Sequence, residues 1–331
     1  MFFISCLTHR RICSSNMGLV FGKITGYQVM NMSEKFEWID NIPTGQAGLN
    51  ITPGCMVLEG GAFRGLYTQG VLDYLMEHDI NMQTTIGVSA GAMGGMSYVS
   101  GQIGRSARVN LLYRHNQKYV GLGAMAKDHG ITGFTFLFGD ISKKYPLDEE
   151  RFNDPEKRFV VEATNVKTGR PVYFERGKCS DIYKAVQASA TVPYVSEPVE
   201  IDGEKYLDGG VSVKIPYGWA IEEGYEKIVV IRTRDRSYRG DITRQHRILN
   251  RAYKDYPEVE QDLLTSNARY NVSLNTLDEL EASGRVFVFV PSEPITISRF
   301  EGDINALADV YWLGYHDARK NLAALKKYLA R

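Results

Sequence analysis

Gly87-Val88-Ser89-Ala90-Gly91 is a G-x-S-x-G pentapeptide between an apolar run, Thr84 to Val88, and a run of small residues, Ala90 to Met96. A serine in that setting sits on a sharp strand-to-helix turn, and glycines two before and two after it leave room for tight packing. Its hydroxyl then projects at a helix N-terminus, where free N–H groups favour developing negative charge. That is the chemistry of a nucleophile attacking a carbonyl. Glu59-Gly60-Gly61-Ala62-Phe63-Arg64-Gly65 makes a second strand-to-helix turn. There, backbone N–H groups without bulky side chains over them can converge on an anion. A phosphate cradle and an oxyanion hole both fit. The dinucleotide pattern G-x-G-x-x-G fails at Ala62, and no G-x-x-x-x-G-K-[ST] occurs. With G-x-S-x-G one unit downstream, the oxyanion hole is the better reading. Asp208-Gly209-Gly210 follows Lys205-Tyr206-Leu207, so an aspartate at a strand end could reach the serine as its base. Each motif alone is also compatible with an ordinary turn.

The elements that must position these residues follow from periodicity. Cys55 to Leu58, Thr84 to Val88, Lys205 to Leu207, Ile228 to Ile231 and Val286 to Val290 read as strands. Phe159 to Val161 and Val172 to Phe174 read as a strand pair around the turn at Thr168-Gly169. Helices are expected from Ala62, from Ala90, over Ile182 to Ala190 and within Ile215 to Glu223. Asp303 to Leu329 is expected to form one or two amphipathic helices burying Leu307, Val310, Leu313, Leu322, Leu325 and Leu329. Continuously apolar strands alternating with helices imply an α/β class with a largely parallel sheet covered on both faces. One domain over residues 51–331 is expected, because no linker divides the pattern. Residues 1–50 read as an N-terminal extension, partly disordered, with Met17, Met30 and Met32 as alternative starts.

In order and register, Glu59 to Gly65, Gly87 to Gly91 and Asp208 to Gly210 closely resemble the patatin-like phospholipase family. Ala188 to Pro193 and Val199 to Gly210 extend the resemblance, which covers roughly Cys55 to Arg234. It implies a three-layer α/β/α sandwich with a mostly parallel central sheet and a Ser–Asp dyad that hydrolyses acyl esters of lipids. Carried over by position, Ser89 is the nucleophile, Asp208 the base, and the Gly60, Gly61 and Ala62 amides line the oxyanion hole. Arg64 matches the motif's basic residue, and Gly87, Gly91, Gly209 and Gly210 support the turns. Two departures stand out. Ala62 replaces the usual third glycine, and Glu59 stands where aspartate is common.

Composition narrows the alternatives. The 331 residues carry 39 Lys+Arg and 39 Asp+Glu, so the balanced chain has no basic field for nucleic acid. The four cysteines, at positions 6, 13, 55 and 179, form neither a disulfide framework nor a zinc pattern, so no metal is expected and a reducing, cytoplasmic setting is the default; no cofactor is expected either. The apolar runs are short of a membrane span, so any membrane contact is peripheral. A Ser–His–Asp hydrolase would need a late histidine, for which His246 and His316 are available. A non-catalytic lipid-binding protein on the same scaffold is the different-class alternative. Phe134, Phe136, Leu137 and Phe138, within the Gly-rich stretch Gly121 to Asp140, read as a core segment first and as an apolar lip over an acyl pocket second.

Overall fold

The computed structural model describes residues 39–243 and 253–331. Its main sheet has eight strands: β1 (Thr52–Leu58), β2 (Met82–Val88), β3 (Arg158–Asn165), β4 (Pro171–Glu175), β5 (Val199–Ile201), β6 (Glu204–Asp208), β7 (Ile228–Ile231) and β8 (Phe287–Phe289). The helices that matter for the site are α1 (Gly65–Glu77), α2 (Ala90–Val99), α3 (Ile182–Ser189), α4 (Tyr217–Glu222), α5 (Pro257–Ala282) and α6 (Ile304–Leu329). β8, β7, β1, β2 and β3 lie side by side in parallel, whereas β4 and β6 run antiparallel to β3, and β5 antiparallel to β6.

The register of β3 explains how two distant motifs meet. Ala163 and Thr164 pair with both β4 and β6, so these two strands flank β3 on opposite sides. Val160 to Glu162 pair with both β4 and β2, which puts β2 on the same side as β6. Val88 lies opposite Glu162, and Asp208 lies opposite the next residue, Ala163. β2 and β6 therefore end head to head along one edge of β3, with Ser89 and Asp208 at the junction.

Alternation along each strand separates two cores. Met56, Leu58, Val229 and Ile231 face α1 and α6, with α2 and α3 beside them over Phe159 and Val161. Cys55, Val57, Ile228 and Val230 face the other way, toward α4 and α5. The sheet is thus covered on both faces, giving three layers. α1 and α6 cross so closely that a Cβ on Gly70 would lie 2.0 Å from the Tyr311 carbonyl oxygen, and one on Gly314 2.0 Å from that of Tyr67. Only glycine fits at that crossing. The Tyr311 hydroxyl seals it by donating to the buried Asp73 at 2.9 Å.

The structure refines several expectations. Asp303 to Leu329 holds a single helix, capped by Asp303, whose carboxyl accepts the Asn305 and Ala306 N–H groups. Leu307, Val310 and Leu325 are buried, but Leu313, Leu322 and Leu329 are only half-buried, because Tyr311, Gly314, Ala318 and Tyr328 fill the inner stripe. The 26-residue α5 had no counterpart in the periodicity reading, since only Val259, Tyr270, Leu274 and Leu277 are buried along it. Phe134 and Leu137 belong to the core, and the Phe134 and Phe138 rings pack 5.8 Å apart, so the second, lip reading of this segment gives way to the first. From Ile39 onward the N-terminal stretch is packed, with Ile39, Ile42 and Ala47 in the core; residues 1–38 lie outside the described residues, as does His246.

Candidate active site

Ser89 occupies the turn between β2 and α2 with φ 53° and ψ −121°, a left-handed conformation that strains a residue bearing a Cβ. Its flanking glycines are required by close approach. A Cβ on Gly87 would lie 2.6 Å from the Ala92 nitrogen, and one on Gly91 2.5 Å from the Leu58 carbonyl oxygen. The buried Ser189, at the end of α3, accepts the Ser89 N–H through Oγ at 2.8 Å and pins the turn.

The Ser89 hydroxyl donates to Asp208 Oδ2 at 2.7 Å. Asp208 Oδ1 accepts the Gly210 N–H at 2.8 Å, so both carboxyl oxygens are engaged, and the Asp208 backbone N–H donates to the Thr191 carbonyl at 2.9 Å. Burial raises the Asp208 pKa, and the hydrogen bonds from Ser89 and Gly210 oppose that rise. Gly209 rests on a second acid: a Cβ there would lie 2.3 Å from Glu162 Oε2. Glu162 is fully buried, and its Oε1 accepts the Ser212 hydroxyl at 2.8 Å. Burial, reinforced by the nearby Asp208 charge, holds its pKa well above the usual carboxyl range.

The Gly60–Arg64 loop forms the opposite wall. The Gly61 and Ala62 N–H groups have no hydrogen-bond partner among the described residues, while the Gly60 N–H faces the Lys214 carbonyl at 3.5 Å. Ala62 adopts φ 50°, the conformation in which glycine would carry no Cβ penalty. The longer side chain at position 59 has a clear use. Glu59 is 2% exposed; one carboxyl oxygen accepts the Thr233 N–H at 2.5 Å, and the other accepts the hydroxyl of Tyr270 on α5. The Thr233 hydroxyl donates to the Gly60 carbonyl at 3.0 Å. The loop is therefore clamped to the end of β7 and to the C-terminal part of the chain.

Ser89, Asp208, Glu59 and Gly60 to Ala62 line a cavity of about 340 Å³, together with Val192, Pro193, Lys214, Arg234 and Arg299. Its rim carries exposed apolar side chains, Tyr194, Ile242 and Leu264. No described histidine lines it, and His316 lies exposed on α6, stacked on Trp312. The aromatic segment contributes Leu137 and Phe138 to a separate cavity of about 410 Å³. Among the described residues there is no group of three or more His, Cys, Asp or Glu side chains placed to hold a metal ion, and no helix long and apolar enough to cross a membrane.

The structure thus brings together Ser89, Asp208, Gly60, Gly61, Ala62 and Arg64 around one cavity, with Gly87, Gly91, Gly209 and Gly210 at the turns that shape it. The sequence reading missed Ser189, Glu162, Tyr270, Lys214, Arg234 and Arg299. Ser189 stands in the Ala188 to Pro193 segment already singled out, so its place in the register was available as a signal. The others carry none, since a lone Glu in a strand or Arg in a loop looks like any other.

Comparison with known proteins agrees with this architecture. The family model of patatin-like phospholipases matches residues 56–221, about half of the chain, and that of a domain of unknown function (DUF6363) matches residues 256–330. The uncharacterized protein YjjU of Escherichia coli (strain K12) is 26% identical over 294 residues, covering 83% of this chain and 78% of its own. The probable lipid hydrolase 463L of Invertebrate iridescent virus 6 is 24% identical over 249 residues, covering 68% of this chain and 86% of its own. Lysophospholipase nte1 of Aspergillus terreus is 31% identical over 165 residues, which cover 47% of this chain and 10% of that protein. With the family match spanning both the Gly-rich loop and the turns bearing Ser89 and Asp208, the chain belongs to the patatin-like phospholipase family.

Proposed function

We propose that this protein is a serine acyl hydrolase that cleaves lipid carboxyl esters through an acyl-Ser89 intermediate, with Asp208 as the base. The observation that carries the reading is the 2.7 Å hydrogen bond from Ser89 Oγ to Asp208 Oδ2, made in the same cavity as two N–H groups without a partner among the described residues. In acylation, Ser89 Oγ attacks the ester carbonyl carbon while Asp208 takes the hydroxyl proton. The carbonyl oxygen becomes an oxyanion, which accepts hydrogen bonds from the Gly61 and Ala62 N–H groups, with Gly60 completing the loop. Collapse expels the alcohol, which takes the proton back from Asp208. Water then attacks the acyl-serine, giving its proton to Asp208, and Ser89 leaves with that proton as the carboxylic acid is released. The raised pKa of Asp208 suits it to this exchange, because a carboxylate of higher pKa is a stronger base.

The relatives described as a probable lipid hydrolase and a lysophospholipase support a lipid ester as substrate. The exposed Tyr194, Ile242 and Leu264 at the rim favour an acyl chain entering there from a peripheral contact with a lipid surface. The clamp from Tyr270 to Glu59 and the packing of α6 on α1 favour one working unit over residues 51–331. The absence of a histidine from the cavity wall among the described residues favours the dyad over the triad.

The test pairs labelling with turnover. Ser89→Ala should lose both fluorophosphonate labelling and hydrolysis of lysophospholipids and p-nitrophenyl esters while remaining folded. Asp208→Asn should be nearly inactive, because an amide cannot take the proton. Labelling of the Ser89→Ala protein equal to that of the unmodified protein would remove Ser89 from the mechanism.

A further inference from the structure

Four cations gather at the Gly60–Arg64 loop, three of them from other segments of the chain. Arg64 belongs to the loop itself. Lys214 presents its carbonyl to the Gly60 N–H, and Arg299 presents its own to the Phe63 N–H at 3.4 Å. Arg234 follows Thr233, whose hydroxyl donates to the Gly60 carbonyl. All four line the cavity that holds Ser89 and Asp208. Arg234 and Arg299 lie outside the span matched to the patatin-like family, and Arg299 comes from the segment matched to the domain of unknown function.

These cations have little protein chemistry to do. Arg64 is only 8% exposed, yet its guanidinium makes no hydrogen bond or ion pair among the described residues, and its Nε is fully shielded without a partner. Leaving such a group buried and unpaired is costly. None of the four forms an ion pair with a described carboxyl. Lys214 lies over the Tyr270 ring at 4.7 Å; Arg234 lies over the Tyr238 ring at 4.3 Å and donates to the Ile295 carbonyl at 3.3 Å. The carboxyls that share the cavity are engaged elsewhere: Glu59 by Thr233 and Tyr270, Asp208 by Ser89 and Gly210, and Asp241 by the Thr243 N–H and hydroxyl. Burial, then repulsion from Arg234, lowers Arg64 to about 10, and burial, partly offset by the Glu59 charge, lowers Lys214 to about 8, both above neutral pH.

Resting on the hydrolase reading above, we propose that Arg64, Lys214, Arg234 and Arg299 form an anion subsite that selects acyl esters bearing a phosphate head group of net negative charge over choline-capped ones. A phosphate offers several oxygens to guanidinium and ammonium donors arriving from different directions, whereas a quaternary ammonium brings a positive charge into the same field. The subsite shares one cavity with the Gly60–Ala62 loop and Ser89, so a head group held there leaves its ester within the catalytic cavity.

The experiment compares lysophosphatidic acid with lysophosphatidylcholine of the same acyl chain, both as monomers below micelle formation. We expect kcat/KM to favour the anionic substrate by about tenfold or more, the scale of one such charge contact. That ratio should fall toward one in Arg299→Gln and Arg234→Gln, with Arg299, exposed at the mouth, as the substitution least able to disturb folding. Inorganic phosphate should bind Ser89→Ala, measured by calorimetry, and bind more weakly once Arg234→Gln and Arg299→Gln are added. Equal Ser89-dependent hydrolysis of the two lysolipids would overturn the subsite and leave the hydrolase reading intact. A preference seen only on anionic vesicles would overturn it too, assigning the charge to surface attraction. If no ester is hydrolysed, the hydrolase reading fails; phosphate binding lost in the Arg variants would still uphold an anion site.

Discussion

Tyr270→Phe isolates the link between the C-terminal part of the chain and the Gly60–Arg64 loop. The substitution keeps the buried ring and removes one oxygen, so no cavity forms in the core that α5 shares with the sheet. What disappears is the hydroxyl that satisfies one oxygen of Glu59, a side chain 2% exposed whose other oxygen takes the Thr233 N–H. A buried acceptor left without its donor costs about 1–3 kcal/mol. At about 1–2 °C per kcal/mol for a chain of this size, the melting temperature should fall by about 1–6 °C. The kinetic consequence follows from geometry. Glu59 directly precedes the Gly60–Ala62 loop proposed as the oxyanion hole, and full loss of one oxyanion donor typically costs about 10²–10³ in kcat. A loosened clamp should cost a fraction of that, about tenfold, and in kcat more than in KM. Tyr217→Phe serves as the control, because Tyr217 donates to the Ser273 carbonyl of the same helix at 3.0 Å and does not line the cavity. It should lower the melting temperature modestly and leave kcat unchanged. The measurements are thermal unfolding and steady-state hydrolysis of a short p-nitrophenyl ester. If Tyr270→Phe behaves like Tyr217→Phe in both, the clamp has no part in holding the loop.

Two further substitutions probe the acid beneath Asp208 and the strained alanine. Glu162 has a native pKa raised well above its ordinary 4.5, so it contributes its full stability below about pH 4.5 and loses it as pH rises toward the native value. Glu162→Gln cannot titrate and should gain stability relative to the unmodified protein as pH climbs from about 4.5 to 8, read from urea unfolding; parallel pH profiles would show that burial of this carboxyl carries no proton cost. Ala62→Gly removes a Cβ penalty of roughly 1–2 kcal/mol at φ 50° and adds roughly 0.5–1 kcal/mol of unfolded-chain entropy. It should therefore be neutral or slightly stabilising, with kcat retained, and a marked loss of either would mean that the methyl group packs against something the turn needs.

The sequence alone determined the local parts of this site. Gly87, Ser89 and Gly91 announce a tight strand-to-helix turn because the constraint is steric and confined to five residues. The Gly60 to Arg64 loop and the Asp208-Gly209-Gly210 turn are legible for the same reason, as are strands such as Ile228 to Ile231, whose burial on both faces leaves a continuous apolar run. The tertiary structure decided how these parts meet. Nothing in the chain says that β6 runs antiparallel along the edge of β3 shared with β2, yet that register is what sets Asp208 against Ser89. Tyr270 reaches Glu59 across 211 positions, and Arg64, Lys214, Arg234 and Arg299 share a cavity only because three separate segments converge on the loop that carries Arg64. α5 escaped the periodicity reading because it buries a thin stripe against an already formed sheet, which its polar sequence does not advertise. Local sterics write themselves into neighbouring residues, whereas contacts between residues far apart in the chain depend on strand register and helix packing that no single segment encodes.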